Sequence, residues 1–117
     1  MPGMTRQASP LFLGVLLSAL PATAQATKVE ATDLGGGVHM LVGRGGNLAL
    51  FVGEDGAFLI DDQYAPQTPE IKKAIATVTP ESIRFLVNTH WHGDHTGGNE
   101  NFGKGGAVIV AHENVRK

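Results

Sequence analysis

The chain has 117 residues, 42% of them hydrophobic, with a formal net charge of −2 and no cysteine. That length suits one small domain, and the apolar content excludes wholesale disorder. Disulfide frameworks and thiolate zinc sites are excluded too, and without a basic stripe the chain has no electrostatic footprint for nucleic acid.

In chain order the first feature is a leader. Arg6 is the only charge among the first 27 residues, and residues 11–20 are apolar apart from Gly14 and Ser18. Pro21 and Ala22-Thr23-Ala24 follow. This is the order of a secretory signal peptide, with cleavage expected after Ala24 or Ala26. The expected destination is therefore the periplasm or the exterior. The apolar run is too short for a stable membrane span, which needs ~20 residues.

Residues 25–37 read as a lead-in. Three short strands are predicted over Val38–Val42, 47–52 and 57–60, with Gly53-Glu54-Asp55-Gly56 as a hairpin turn between the last two. Glycines cluster at 35–37, 43–46, 97–98 and 103–106 and mark turns. Residues 66–69 form a loop in which Thr68 can cap a helix. Ile71, Ala74, Ile75 and Val78 fall on one apolar helix face, and Pro80 stops that helix. Ile83–Val87 is a β-branched and aromatic run, hence a strand. A short helix over 96–102 and a strand over 107–111 complete the pattern. The order predicts an α/β fold with antiparallel hairpins at its start. One good helix cannot cover both faces of such a sheet. Either residues 38–117 are a partial domain or something else covers the second face.

The chemistry concentrates in Asn88-Thr89-His90-Trp91-His92-Gly93-Asp94-His95-Thr96-Gly97-Gly98-Asn99. Imidazole nitrogen and carboxylate oxygen are good zinc ligands at neutral pH. His90 and His92 are two apart at a strand end, which puts both rings on one side, ~6.5 Å apart at the backbone. Gly93 allows a sharp turn, after which Asp94 and His95 approach from another direction. One ion for the histidine pair and a second for Asp94 and His95 is sterically sensible, since two-metal hydrolytic sites hold their ions ~3.5–4 Å apart. The bland alternative is a polar loop whose histidines are solvated or capping.

His90-x-His92-x-Asp94-His95 resembles the signature of the metallo-β-lactamase fold superfamily. The surroundings are similar too: Leu59-Ile60-Asp61-Asp62 as a strand ending in acid, Phe85-Leu86-Val87-Asn88-Thr89 feeding the motif, Thr96-Gly97-Gly98-Asn99 continuing it, and Ala111-His112 ending the next strand. The leader and the His-Glu-Asn-Val stretch resemble exported cyclase-like hydrolases. The resemblance implies the N-terminal half of an αββα sandwich with a mixed sheet. It implies two Zn2+ per complete site, with His90 and His92 on the first and Asp94 and His95 on the second. Asp94 would also orient the attacking water, as the catalytic residue. The implied function is hydrolysis of an ester, lactone, lactam or related bond of a small-molecule substrate by a metal-bound hydroxide. The alternative is a truncated, inactive metal-binding or interaction fragment.

A catalytic zinc wants about three protein ligands plus water, and this motif offers two per ion. The family's further ligands lie in its second half, and a complete protein of roughly 250–300 residues is expected. Among local candidates, His39 reads as a core or surface histidine, and His112 ends the last strand, from which it can approach the site, while the resemblance implies structural or outer-shell use. Asp61 or Asp62 is a candidate for hydrogen bonding to a ligand histidine, with loop capping the equal alternative. Trp91 either lines the mouth or packs beside it. No protein partner or oligomeric state is implied.

Overall fold

The computed structural model describes residues 26–116. The leader and its cleavage site lie outside the described residues. Six strands form one mixed sheet in sequence order: β1 (Glu30–Gly35), β2 (Val38–Val42), β3 (Leu48–Gly53), β4 (Gly56–Ile60), β5 (Ile83–Val87) and β6 (Val108–Val110). β1 to β4 are an antiparallel meander, whereas β4–β5 and β5–β6 pair in parallel. Parallel pairing needs a crossover. α1 (Thr68–Val78) supplies the first, and the short helices α2 (Gly93–Thr96) and α3 (Asn99–Lys104) supply the second.

The lead-in contains a strand that the sequence pattern does not reveal. β1 is mostly exposed, and of its residues only Ala31 packs partly against the core. Its polar, charged composition is that of a protected sheet edge. Two further differences concern the helices. A 3-10 turn at Ala65–Gln67 runs straight into α1, so the N-cap is Gln67 and Thr68 is already helical. Thr68 Oγ1 instead accepts from Asn101 Nδ2 at 3.0 Å. The helix expected over 96–102 is divided in two at Gly97-Gly98, and its first part begins at Gly93. At its other end α1 stops as expected: Thr79 is extended, the conformation that the following Pro80 demands.

The core lies between the helices and one sheet face. Leu41, Leu48, Leu50, Leu59 and Leu86 meet Ile71, Ala74 and Ile75 of α1 and Phe102 of α3. Each fully buried aliphatic side chain contributes about 1.5–3 kcal/mol. The opposite face is also apolar. Val38, Phe51, Phe58, Phe85 and Val108 form one in-register row across five strands, and Met40, Ala49, Ile60, Val87 and Val110 a second. None of these ten is buried. A solvated sheet face normally alternates to polar residues, and this one does not. Among the described residues no helix is long and apolar enough to cross a membrane.

Candidate metal centre

The parallel pairing of β4 with β5 brings two strand ends side by side, and the site is built where both stop. The pairing runs one step past β4, with Asp61 N–H donating to Val87 O at 2.9 Å. There the backbone turns into the left-handed region, at φ 61° for Asp61 and 55° for Gln63. Non-glycine residues adopt this conformation at a cost of about 1–3 kcal/mol each, and it recurs at functional sites. The result is that Asp61, Asp62 and Gln63, all buried, each reach a different part of the site.

Asp61 organises the histidines. Its Oδ1 accepts from Thr89 N–H at 2.8 Å, and its Oδ2 accepts from Thr89 Oγ1 and His95 Nδ1, both at 2.7 Å. Thr89 Oγ1 also lies 2.9 Å from His90 Nδ1. A hydroxyl has one proton to give. With that proton directed at Asp61, Thr89 must accept from His90 Nδ1–H. Both rings then carry their proton on Nδ1, and both Nε2 atoms keep a free lone pair. This is the tautomer that ligating histidines adopt when a carboxylate stands behind them.

The rings of His92 and His95 flank His90. Its ring centroid is 4.0 Å from that of His95 and 4.7 Å from that of His92. His95 Nε2 lies 3.3 Å from Asp94 Oδ2. Among the described residues, potential ligand atoms of Asp61, His90 and His95 all lie within 4.8 Å of one another. Asp61 belongs to that group by distance, but its lone pairs face three donors, which makes it a support for the rings. The donor set of imidazole nitrogens and the Asp94 carboxylate fits a zinc-like ion. Trp91 packs edge-on against His92, centroids 4.7 Å apart, and is 69% exposed at the rim.

The backbone of the motif is pinned as well. His95 O accepts from Asp62 N–H at 3.2 Å and from Asn88 Nδ2 at 3.0 Å, and Asn88 Oδ1 accepts from Asn99 Nδ2 at 2.7 Å. Gly97 and Gly98 have ordinary helical φ values of −65° and −87°. They are needed for close approach: a β-carbon on Gly98 would stand 2.9 Å from Asp62 O, and one on Gly97 2.8 Å from Gln63 O. Gly98→Ala is expected to cost about 1–3 kcal/mol by overpacking, measured by urea denaturation.

Asp62 is fully buried; its Oδ1 accepts from Gly98 N–H at 3.0 Å and its Oδ2 has no partner. Burial pushes its carboxyl up from 3.8 to about 7; the Gly98 bond opposes this, the Asp61 charge adds to it, and His95 opposes it. The folded chain therefore holds a proton that the unfolded chain has released between pH 3.8 and about 7. Stability of the metal-free protein should fall as pH rises through that window and be unaffected below it. Asp62→Asn keeps the acceptor for Gly98 and removes the charge. It should flatten the slope and gain stability over the parent at about pH 8, read by denaturation across pH.

The remaining histidines stay apart. His39 faces Asp33 across β1–β2, Nε2 to Oδ1 at 3.8 Å. His112 is exposed, its Nδ1 accepting from Asn114 N–H at 3.2 Å. Asn88 and Thr89 carry more of the site than the sequence pattern suggests. The only signal for them is their position between a strand and a His-rich turn.

A family model described as "Metallo-beta-lactamase superfamily" matches residues 41–116. Among solved structures, the chain is similar to BJP-1, a subclass B3 metallo-beta-lactamase of Bradyrhizobium japonicum, at 30% identity and a TM-score of 0.67, over 74% of this chain and 34% of that one. It is similar to a Cronobacter sakazakii metallo-beta-lactamase with a HARLDQ motif at 26% identity and TM-score 0.69, over 78% and 36%. A third, MEM-A1, a subclass B3 enzyme from a soil metagenome library, matches at 25% identity and TM-score 0.68, over 75% and 34%. The chain thus spans about a third of the length of these structures. No curated protein matches it.

Proposed function

The chain belongs to the metallo-beta-lactamase superfamily, and on that premise we propose that it carries the first half of a zinc site for hydrolysis of a small molecule. His90 and His92 would hold one ion, and Asp94 and His95 a second. The observation that carries this reading is the tautomer relay, His90 Nδ1 to Thr89 Oγ1 to Asp61 and His95 Nδ1 to Asp61, which leaves Nε2 of both rings as the lone-pair atom for an ion. Zinc in such a site supplies a Lewis acid and makes a bound water acidic enough to ionise near neutral pH. Around it, Asp94 accepts a hydrogen bond from the incoming water and orients it. Asp61 keeps the rings in the ligating tautomer, and Trp91 offers an apolar rim for the substrate. The bond cleaved is an ester, lactone, lactam or related bond.

Zinc stoichiometry and hydrolysis of a lactam, lactone, thioester and phosphoester panel test the reading together. Bound zinc with turnover of one class is expected, and absence of zinc would sink it. A second reading, metal binding without turnover, is favoured by one observation. Among the described residues, Asp61, His90 and His95 are the group whose ligand atoms lie close enough to share an ion, and even with His92 and Asp94 they are fewer than two catalytic ions need. Zinc bound without turnover of any substrate would favour it. Export is proposed on the leader pattern alone; an intact mass starting at residue 25 or 27 would support it.

A further inference from the structure

Two consecutive glycines back two consecutive members of the motif. A β-carbon on Gly45 would stand 3.2 Å from Asp94 Cβ, and one on Gly46 would stand 2.6 Å from His95 Nε2 and closer still to Cε1. The β2–β3 connection is thus laid directly against Asp94 and His95. What holds it there is Gln63, whose Nε2 donates to Gly46 O at 2.7 Å. Gln63 is wholly buried and sits at φ 55°. A long polar side chain in a left-handed, buried position is costly on both counts, and the hydrogen bond to the loop is what it gains. A neighbouring glutamine ties down a different segment: Gln67 accepts from Thr27 N–H at 2.6 Å and donates to Thr27 O at 2.7 Å.

We propose that Gln63 is a positioning residue for the metal centre: by holding the Gly45-Gly46 backbone against Asp94 and His95, it leaves the His95 ring a single orientation. The ring is confined on three sides. Asp61 holds Nδ1, the His90 ring packs on one side at 4.0 Å, and the glycine backbone closes another. Neither ring nor loop can yield without breaking a hydrogen bond. With the loop pinned by Gln63, a methyl group on Gly46 has no room beside the ring and must push it off Asp61.

The metal part of this inference rests on the proposed zinc reading, whereas the ring orientation does not, so two readouts are needed. The first is the Nδ1–H proton of His95, seen by NMR as a hydrogen-bonded ring proton in the metal-free chain. The second is cobalt(II) affinity with its visible spectrum. Gln63→Leu and Gly46→Ala should both lose the ring proton and bind cobalt about tenfold more weakly or worse, with an altered spectrum. Gly103→Ala, where a β-carbon meets nothing within 4 Å, should change neither. Circular dichroism checks folding, and should Gln63→Leu unfold, Gly46→Ala on its surface loop decides. A folded Gly46→Ala that keeps either the ring proton or the parent's cobalt affinity overturns the proposal. A parent chain that binds no cobalt, with the ring proton still lost in both variants, sinks the zinc reading and leaves Gln63 as the residue that orients His95.

Discussion

His95→Ala will lose zinc affinity by at least about 100-fold, and Asp61→Asn by about 10–100-fold. The second result is the more informative, because Asp61→Asn removes no ligand of the proposed site. Three donors face the Asp61 carboxylate: Thr89 N–H, Thr89 Oγ1–H and His95 Nδ1–H. An asparagine has one oxygen for them and must present its NH2 to the rest. The Thr89 N–H can only donate, so the amide oxygen takes the Oδ1 place and the NH2 the Oδ2 place, facing both His95 Nδ1 and Thr89 Oγ1. The His95 ring then accepts at Nδ1 and carries its proton on Nε2, where it cannot ligate a metal, and the Thr89 hydroxyl turns toward His90 and inverts that ring too. Both imidazoles are switched off by a tautomer change while the chain stays folded. Zinc titration against a chromophoric chelator gives the affinity. Full affinity in Asp61→Asn would show that Asp61 does not set the tautomers.

The grouping of the motif residues is legible in the sequence, because its geometry is local. His90, His92, Asp94 and His95 lie within six residues at a strand end, and short-range stereochemistry alone brings them together. The strands β2 to β5 and α1 were legible from period and turn residues for the same reason. What escaped is what the sheet creates. Gln63 and Gly46 are 17 residues apart, and Gly46 and His95 farther still. Only the β3–β4 and β4–β5 pairings place them in contact. Gly97 and Gly98 look like turn formers in sequence, yet their φ values suit any residue, and it is the approach of Asp62 and Gln63 that demands them. β1 escaped because an edge strand with Glu30 and Asp33 shows no apolar alternation. Asp61 is marked in the sequence by its place at a strand end. Its partners became visible only when Thr89 was brought alongside.

Neighbouring residues on β4 should behave oppositely when truncated. Leu59→Ala is expected to cost about 2–5 kcal/mol, a large share of the ~5–15 kcal/mol that holds a domain of this kind together. Leu59 is fully buried among Leu41, Leu50, Leu86 and the α1 face, and nothing can collapse into the space it leaves. Phe58→Ala, one residue earlier, should cost only about 1 kcal/mol, since it gives up a stacked pair with Phe85, centroids 5.4 Å apart, on the uncovered face. Urea denaturation separates the two. A hydrophobic dye should read the reverse order: the parent binds it through the aromatic row, Phe58→Ala binds less, and stably folded Leu59→Ala binds as much or more. Metal affinity should follow the inner face alone. Leu59 sets the position of β4 two residues before Asp61, so its loss loosens the support of both histidines, whereas Phe58 points away from every contact that Asp61 makes. A Phe58→Ala penalty as large as that of Leu59→Ala would mean that the outward row is a packed core in solution, covered by something with the apolar character of that row.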